Sequence, residues 1–166
     1  MVNHKTIDAS IVKTLLEYEK NSGLIRWINT VSSRAKAGAV AGHIENNGYR
    51  SIRIMGVSYL AHRLVFVLTT GSMPNGFVDH IDGNRDNNKF DNLRVVDRKT
   101  NCQNLHGPLK NNKFSGLLGV SQHNRKWKAQ IYFDGSKKYL GSYESPELAH
   151  AAYLRAKRAV HEGCTI

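Results

Sequence analysis

The stretch from Val78 to Asn101, VDHIDGNRDNNKFDNLRVVDRKTN, limits the fold more than any other part of the chain. Two short apolar runs, Phe77-Val78 and Leu93 to Val96, enclose a turn-rich loop from Asp82 to Asn92. Apolar runs bounded by Asn, Asp and Gly read as strands, and Asp97 is a natural N-cap for a following helix. The pattern predicts a β-hairpin with a wide loop, then a helix carrying Asn101. Folded so, Asp79 and His80 at the end of the first strand face a residue one turn into the helix. Asp79 and Asn101 would then hold one cation between them, with His80 beside it.

A calcium loop is the plain competitor, because Asp82, Asn84 and Asp86 recur at every second residue. Such a loop needs Gly at its sixth position and an acid at its twelfth, where this chain has Asn87 and Leu93. The stretch instead resembles the motif of HNH nucleases, in the variant of phage-type homing endonucleases. The resemblance extends upstream to the HRLV run, His62 to Val65.

That resemblance implies a ββα-metal core, with the motif spanning 62–104, that cuts DNA with one divalent ion. It assigns Asp79 as a metal ligand, His80 as the general base, Asn92 as the residue that orients His80, and Asn101 as the second metal ligand. Many members carry His where this chain has Asn101, and two oxygen donors favour a hard ion. Mg2+ is therefore the expected cofactor, with Mn2+ as its alternative. His62 would either approach the scissile phosphate or anchor a helix start.

Charge points to the same class of partner. The chain has 166 residues and a net charge of +11, from 24 Lys and Arg against 13 Asp and Glu. An excess of this size implies a polyanion, here double-stranded DNA. The acids are densest in the middle of the chain, around the motif, and basic residues flank it on both sides. Cys102 and Cys164 are too few for a zinc knuckle or a disulfide framework. No apolar run approaches the ~20 residues of a membrane span, and MVNHKTIDAS lacks a signal-peptide core. A cytoplasmic location in a bacterial host, for a phage-encoded protein, is the expectation.

The expected class is α+β. Residues 8–20 read as a helix capped by Asp8 or Ser10, and 24–28 as a strand. Residues 49–54 and 57–60 form a hairpin turning at Met55-Gly56, its polar face offering Arg50 and Arg53 to DNA. Residues 61–71 read as a helix ended by Gly71, and Arg63 at its start is a further phosphate contact. Residues 1–105 would form the nuclease domain and 106–116 a linker.

The third part, 117–166, reads as three strands and a helix starting at Ser145, with Leu148, Ala149, Ala152, Tyr153 and Ala156 on its buried face. Gly119-Val120, Trp127, Ala129, Ile131, Tyr139-Leu140-Gly141 and the Glu147–Tyr153 helix resemble the plant ethylene-response-factor (ERF, Apetala-class) DNA-binding domain. In that family the sheet enters the major groove. Its reading positions would fall on Ser121, Arg125, Lys128, Gln130, Tyr132, Lys138 and Tyr139. Ser121 and Tyr132 replace arginines of the plant family, so a different target is implied.

The sequence reading is thus a metal-dependent HNH DNA endonuclease targeted by a C-terminal domain. The alternative is a DNA-binding regulator that keeps the nuclease fold without activity. Monomer and homodimer both remain open.

Overall fold

A computed structural model describes residues 7–108, 112 and 114–166. The expected linker falls partly outside these residues, at 109–111 and 113. The architecture is α+β, in two compact units, Met1–Asp97 and Arg98–Ile166.

The first unit begins with α1 (Ala9–Leu15), capped by Asp8, whose Oδ1 accepts from the Ser10 N–H at 2.8 Å. The expected helix over 8–20 stops early. Leu16–Glu19 forms a strand, β1, antiparallel to β2 (Leu24–Trp27) with Leu16 opposite Trp27. Leu16, Ile25 and Trp27 are buried in this arrangement, and that packing outweighs the helical preference of the LLEYEK run. The next sheet has the order β3 (His43–Ile44), β4 (Arg50–Ile54), β5 (Val57–Leu60). Its β4–β5 turn is Met55-Gly56, both with positive φ, the conformation a two-residue hairpin requires.

Helix α2 (Ala61–Thr70) ends at Gly71, in the left-handed region at φ 81°. It buries Leu64, Val65 and Val67 against the core that also holds Val12, Ile52 and Ile54. Each such side chain contributes roughly 1.5–3 kcal/mol on leaving water. Strand β6 (Phe77–His80) then pairs with β7 (Leu93–Val96), as the sequence predicts, in the register Asp79 opposite Arg94 and His80 opposite Leu93. A short 3-10 turn, Phe90–Asn92, leads into β7.

The second unit opens with α3 (Arg98–Gln103), which carries Asn101. Its sheet has the order β10 (Ser136–Tyr143), β9 (Lys126–Phe133), β8 (Val120–His123), all antiparallel. Helix α4 (Pro146–Val160) starts at Ser145, whose hydroxyl accepts from the Leu148 N–H, with Pro146 in the first turn. Ala149, Ala152 and Tyr153 are buried as expected, but Leu148 is 56% exposed. Lys157 takes the inward place instead: its Nζ donates to the Leu105 carbonyl, so a buried charge gains a backbone partner. Gly163 N–H donates to Gln103 Oε1 and Thr165 bonds Asn104, so the last residues hold the end of α3.

Candidate active site

Successive residues of a strand point to opposite faces, so β6 sends Asp79 and His80 to different sides. Both are buried, at 7% and 3% exposure. Asp79 meets Arg94, its partner in register: the guanidinium Nε and Nη2 lie 2.9 and 2.8 Å from Oδ2.

His80 turns into a cluster of rings. His62, from the first turn of α2, meets it edge-on with centroids 5.1 Å apart, and Tyr49 lies 5.3 Å from His62 and 5.9 Å from His80. Arg85 covers the Tyr49 ring at 5.0 Å and donates to the Asn47 carbonyl. His80 Nε2 lies 3.3 Å from Oδ1 of Asn88. Burial pushes the His80 pKa below the ordinary histidine value, against the opposing pull of the Asn88 hydrogen bond and of Asp82 and Asp79. His62 is pushed down to about 3, by burial first and then by His80 and Arg63. His62 is thus neutral at neutral pH, and its Nδ1 is buried with no hydrogen-bond partner among the described residues.

The loop between the strands closes on itself. Asn92 accepts from the Asp82 N–H at 3.1 Å, and its Nδ2 donates to Asp82 Oδ1 and to the Asn87 carbonyl, both at 2.9 Å. Asn87 Nδ2 adds a bond to Asp82 Oδ2 at 2.7 Å. Burial opposes the Asp82 carboxylate, but the bonds from Asn87, Asn92 and the Asn84 N–H outweigh it and hold its pKa below the usual range. Asn92, read from the sequence as the residue orienting His80, therefore spends these bonds on the loop. The amide against the ring is that of Asn88, which the sequence reading passed over.

The same loop is held from below. Tyr18 Oη donates to the Asn88 carbonyl at 3.2 Å and accepts from the Phe90 N–H at 2.8 Å. Gly23 lies so close that a Cβ there would come within 2.7 Å of the Lys89 nitrogen.

The arginines of this unit are largely engaged with the protein itself. Arg50, expected at DNA, forks onto Asp86, with Nε and Nη2 at 2.9 and 3.0 Å from its two oxygens. Arg63 donates to the Gly76 and Pro74 carbonyls and so braces the turn before β6. Arg53 bonds the Gly56 carbonyl and is exposed.

In the second unit the open face of the sheet is set by register. Lys128 lies opposite Ser121 and Ser142, Gln130 opposite Tyr139, and Tyr132 opposite Lys137. Tyr132 and Tyr139 are 62% and 59% exposed, and Lys128 Nζ stands 5.5 Å from the Tyr139 ring centre. Arg125 is exposed in the β8–β9 turn. Lys138, named from the sequence, lies opposite the buried Ile131 and so projects from the other face; Lys137 occupies the open one.

A family model for HNH endonucleases matches residues 59–103. Protein 3.8 of Escherichia phage T7 is 33% identical over 103 residues, which cover 60% of this chain and 83% of that protein. The chain belongs to the HNH endonuclease family. DNA endonuclease I-HmuI of Bacillus phage SP01 is 39% identical over 75 residues, 42% of this chain and 43% of that one. The SPbeta prophage-derived HNH protein YosQ of Bacillus subtilis is 45% identical over 65 residues, 39% of this chain and 36% of its own length. The HNH chain described here thus spans less than half of each of the last two. No solved structure matches it significantly. Among the described residues, no helix is long and apolar enough to cross a membrane.

Proposed function

We propose that this HNH protein is a metal-dependent endonuclease that hydrolyses phosphodiester bonds in double-stranded DNA and finds its sites through its C-terminal unit. The observation that carries the reading is a buried histidine, His80, oriented by an amide at the end of the motif's first strand. An amide oxygen can only accept, and the Asn88 amide is turned with Nδ2 to the Asp86 carbonyl at 3.1 Å. In this reading Nε2 of His80 donates to Asn88 Oδ1, and Nδ1 is the nitrogen that takes the proton. Burial lowers the His80 pKa and so favours the neutral ring, the state a general base needs.

In this scheme His80 takes a proton from the water that attacks phosphorus. His62 and Tyr49 wall the ring, and Asn92 keeps the Asp82 loop closed beside it. The divalent cation expected for the family would be a hard ion held by oxygen donors, although among the described residues no cluster of three or more His, Cys, Asp or Glu side chains gathers to hold one. Asp79 offers a carboxylate that already draws a cationic partner, and the motif's order supplies an amide oxygen from Asn101. Mg2+ suits this set, with Mn2+ the alternative. When bound, the ion supplies charge stabilisation at the phosphate and at the departing 3′-oxygen.

The ERF-like part, residues 117–166, would act as the reader. Its open face combines Lys128, Lys137 and Arg125 for phosphate, Gln130 for an adenine edge, Ser121 for a base or sugar, and two flat tyrosines. The strand and helix order, with the residues quoted above, supports the ERF-like reading of this unit. Plasmid nicking with Mg2+ and with EDTA, followed by mapping of the cut sites, tests the whole proposal. Metal-independent nicking, or none with any divalent ion, would overturn it.

A further inference from the structure

Asp79 and Arg94 are the one carboxylate–guanidinium pair that the β6–β7 ladder itself sets in register. Neither residue sits on a loop, so the ladder brings the two together. Nε and Nη2 of Arg94 both address Oδ2 of Asp79. The carboxylate side chain is 9% exposed and the guanidinium side chain 29%. A carboxylate this deep needs a positive neighbour, because an uncompensated buried charge is strongly destabilising. Arginine, with a planar fork of donors, meets that need where lysine would offer a single point.

We propose that Arg94 is the resident counter-ion of Asp79, which it occupies in the metal-free protein and must yield in part when a divalent cation binds. The inference rests on the reading of Asp79 as a metal ligand. A cation and the guanidinium would share one carboxylate well inside a Debye length, and their repulsion sets the metal affinity low. Arg94 is in this sense a positioning residue: it acts through Asp79. A phosphodiester is the natural third party, since it brings negative charge to a place where a divalent cation and a guanidinium would meet. Metal alone should therefore bind weakly, and metal and DNA should each strengthen the other, by the same factor.

The test is Mn2+ binding to the full chain without DNA, followed by the free-ion resonance signal, together with melting in EDTA. The proteins compared are the parent, Arg94→Gln, Arg94→Lys and Asp79→Asn. Removing the charge should tighten Mn2+ binding by about tenfold in Arg94→Gln while lowering the metal-free melting temperature. Arg94→Lys, which keeps the charge but loses the fork, should fall between it and the parent. Asp79→Asn should lose the site.

If Arg94→Gln binds Mn2+ no more tightly than the parent while Asp79→Asn loses it, the counter-ion claim fails and the metal reading stands. If Asp79→Asn binds as the parent does, the metal reading fails and takes the claim with it. Should neither the parent nor Arg94→Gln bind Mn2+, the claim is likewise overturned. If Arg94→Gln does not fold, Arg94→Lys decides: affinity equal to or below the parent's overturns the proposal.

Discussion

Oδ1 of Asn88 faces Nε2 of His80 at 3.3 Å because the other end of the amide donates to the Asp86 carbonyl. In the proposed mechanism one loop residue thereby selects the tautomer of His80. Asn88→Ala should slow single-turnover nicking by about tenfold to a hundredfold, the kinetic equivalent of one buried hydrogen bond, with DNA affinity little changed. His80→Ala should go further, on the order of a hundred- to ten-thousandfold. If Asn92→Ala reproduces the His80 defect and Asn88→Ala does not, Asn92 holds the ring and the tautomer argument is wrong.

The proposed ligand pair predicts a graded metal response. Asp79→Ala should raise the Mg2+ requirement more than Asn101→Ala, because only Asp79 brings charge. Asn101→His replaces an oxygen donor by an imidazole and should move the preference toward Co2+, Ni2+ or Zn2+. Nicking rates titrated against each metal read this directly. Unchanged titrations in all three variants would remove both residues from the metal.

His62 predicts a pH effect on stability with a definite sign. Its folded pKa is about 3 against 6.5 when unperturbed. Between those values the unfolded chain binds a proton that the folded one refuses. Stability from the neutral ring is complete above the higher value and drains as pH falls toward the lower, by up to about 1.4 kcal/mol per pH unit. His62→Phe keeps a ring in the cluster and removes that proton. Denaturant unfolding of parent and variant at pH 7, 6, 5 and 4 should show the parent losing stability faster. Parallel losses would mean that His62 is protonated in the fold.

The reader hypothesis is best tested on the sheet face. Truncation after Lys110 would also strip α3 of Lys157, Gly163 and Thr165, which hold residues 103 to 105. Gln130→Ala should flatten the ranking between a mapped cut site and a scrambled duplex, worth about 1–3 kcal/mol for a bidentate base contact. Lys137→Ala should weaken binding to both duplexes alike and lower the log–log salt slope by about 0.9. Lys138→Ala, on the opposite face, should do neither. A salt slope that falls equally in both lysine variants would deny the sheet a single binding face.

The hairpin around the DH pair was legible because its signal is local: short apolar runs separated by residues that favour turns. Helix α2 was legible down to its terminal Gly71 for the same reason. What the sequence hid were choices made by distant partners. LEYE can be helix or strand, and pairing with LIRW decides it. Arg50 and Arg63 count toward the basic charge, yet their guanidinium bonds go to Asp86 and to two carbonyls of a turn. Asn87 and Asn88 are adjacent and chemically identical; only the path of the loop sends one to Asp82 and the other to His80. Lys137 and Lys138 pose the same problem on a strand, where one step of register exchanges the two faces.

Tyr18 and Gly23, at the start of the chain, bear on how portable the nuclease motif is. The Tyr18 hydroxyl grips the backbone on both sides of Lys89, and Gly23 leaves just enough room for that backbone to lie against the β1–β2 turn. Asn88, whose amide meets the His80 ring, is thus held by a hairpin that lies wholly outside the matched segment 59–103. A graft of that segment onto another scaffold would carry the proposed base and leave behind the hairpin that braces its Asn88 partner. On the proposed reading, the smallest transplantable nuclease in this chain therefore begins before Tyr18, and its upstream limit is set by mechanical support rather than by chemistry.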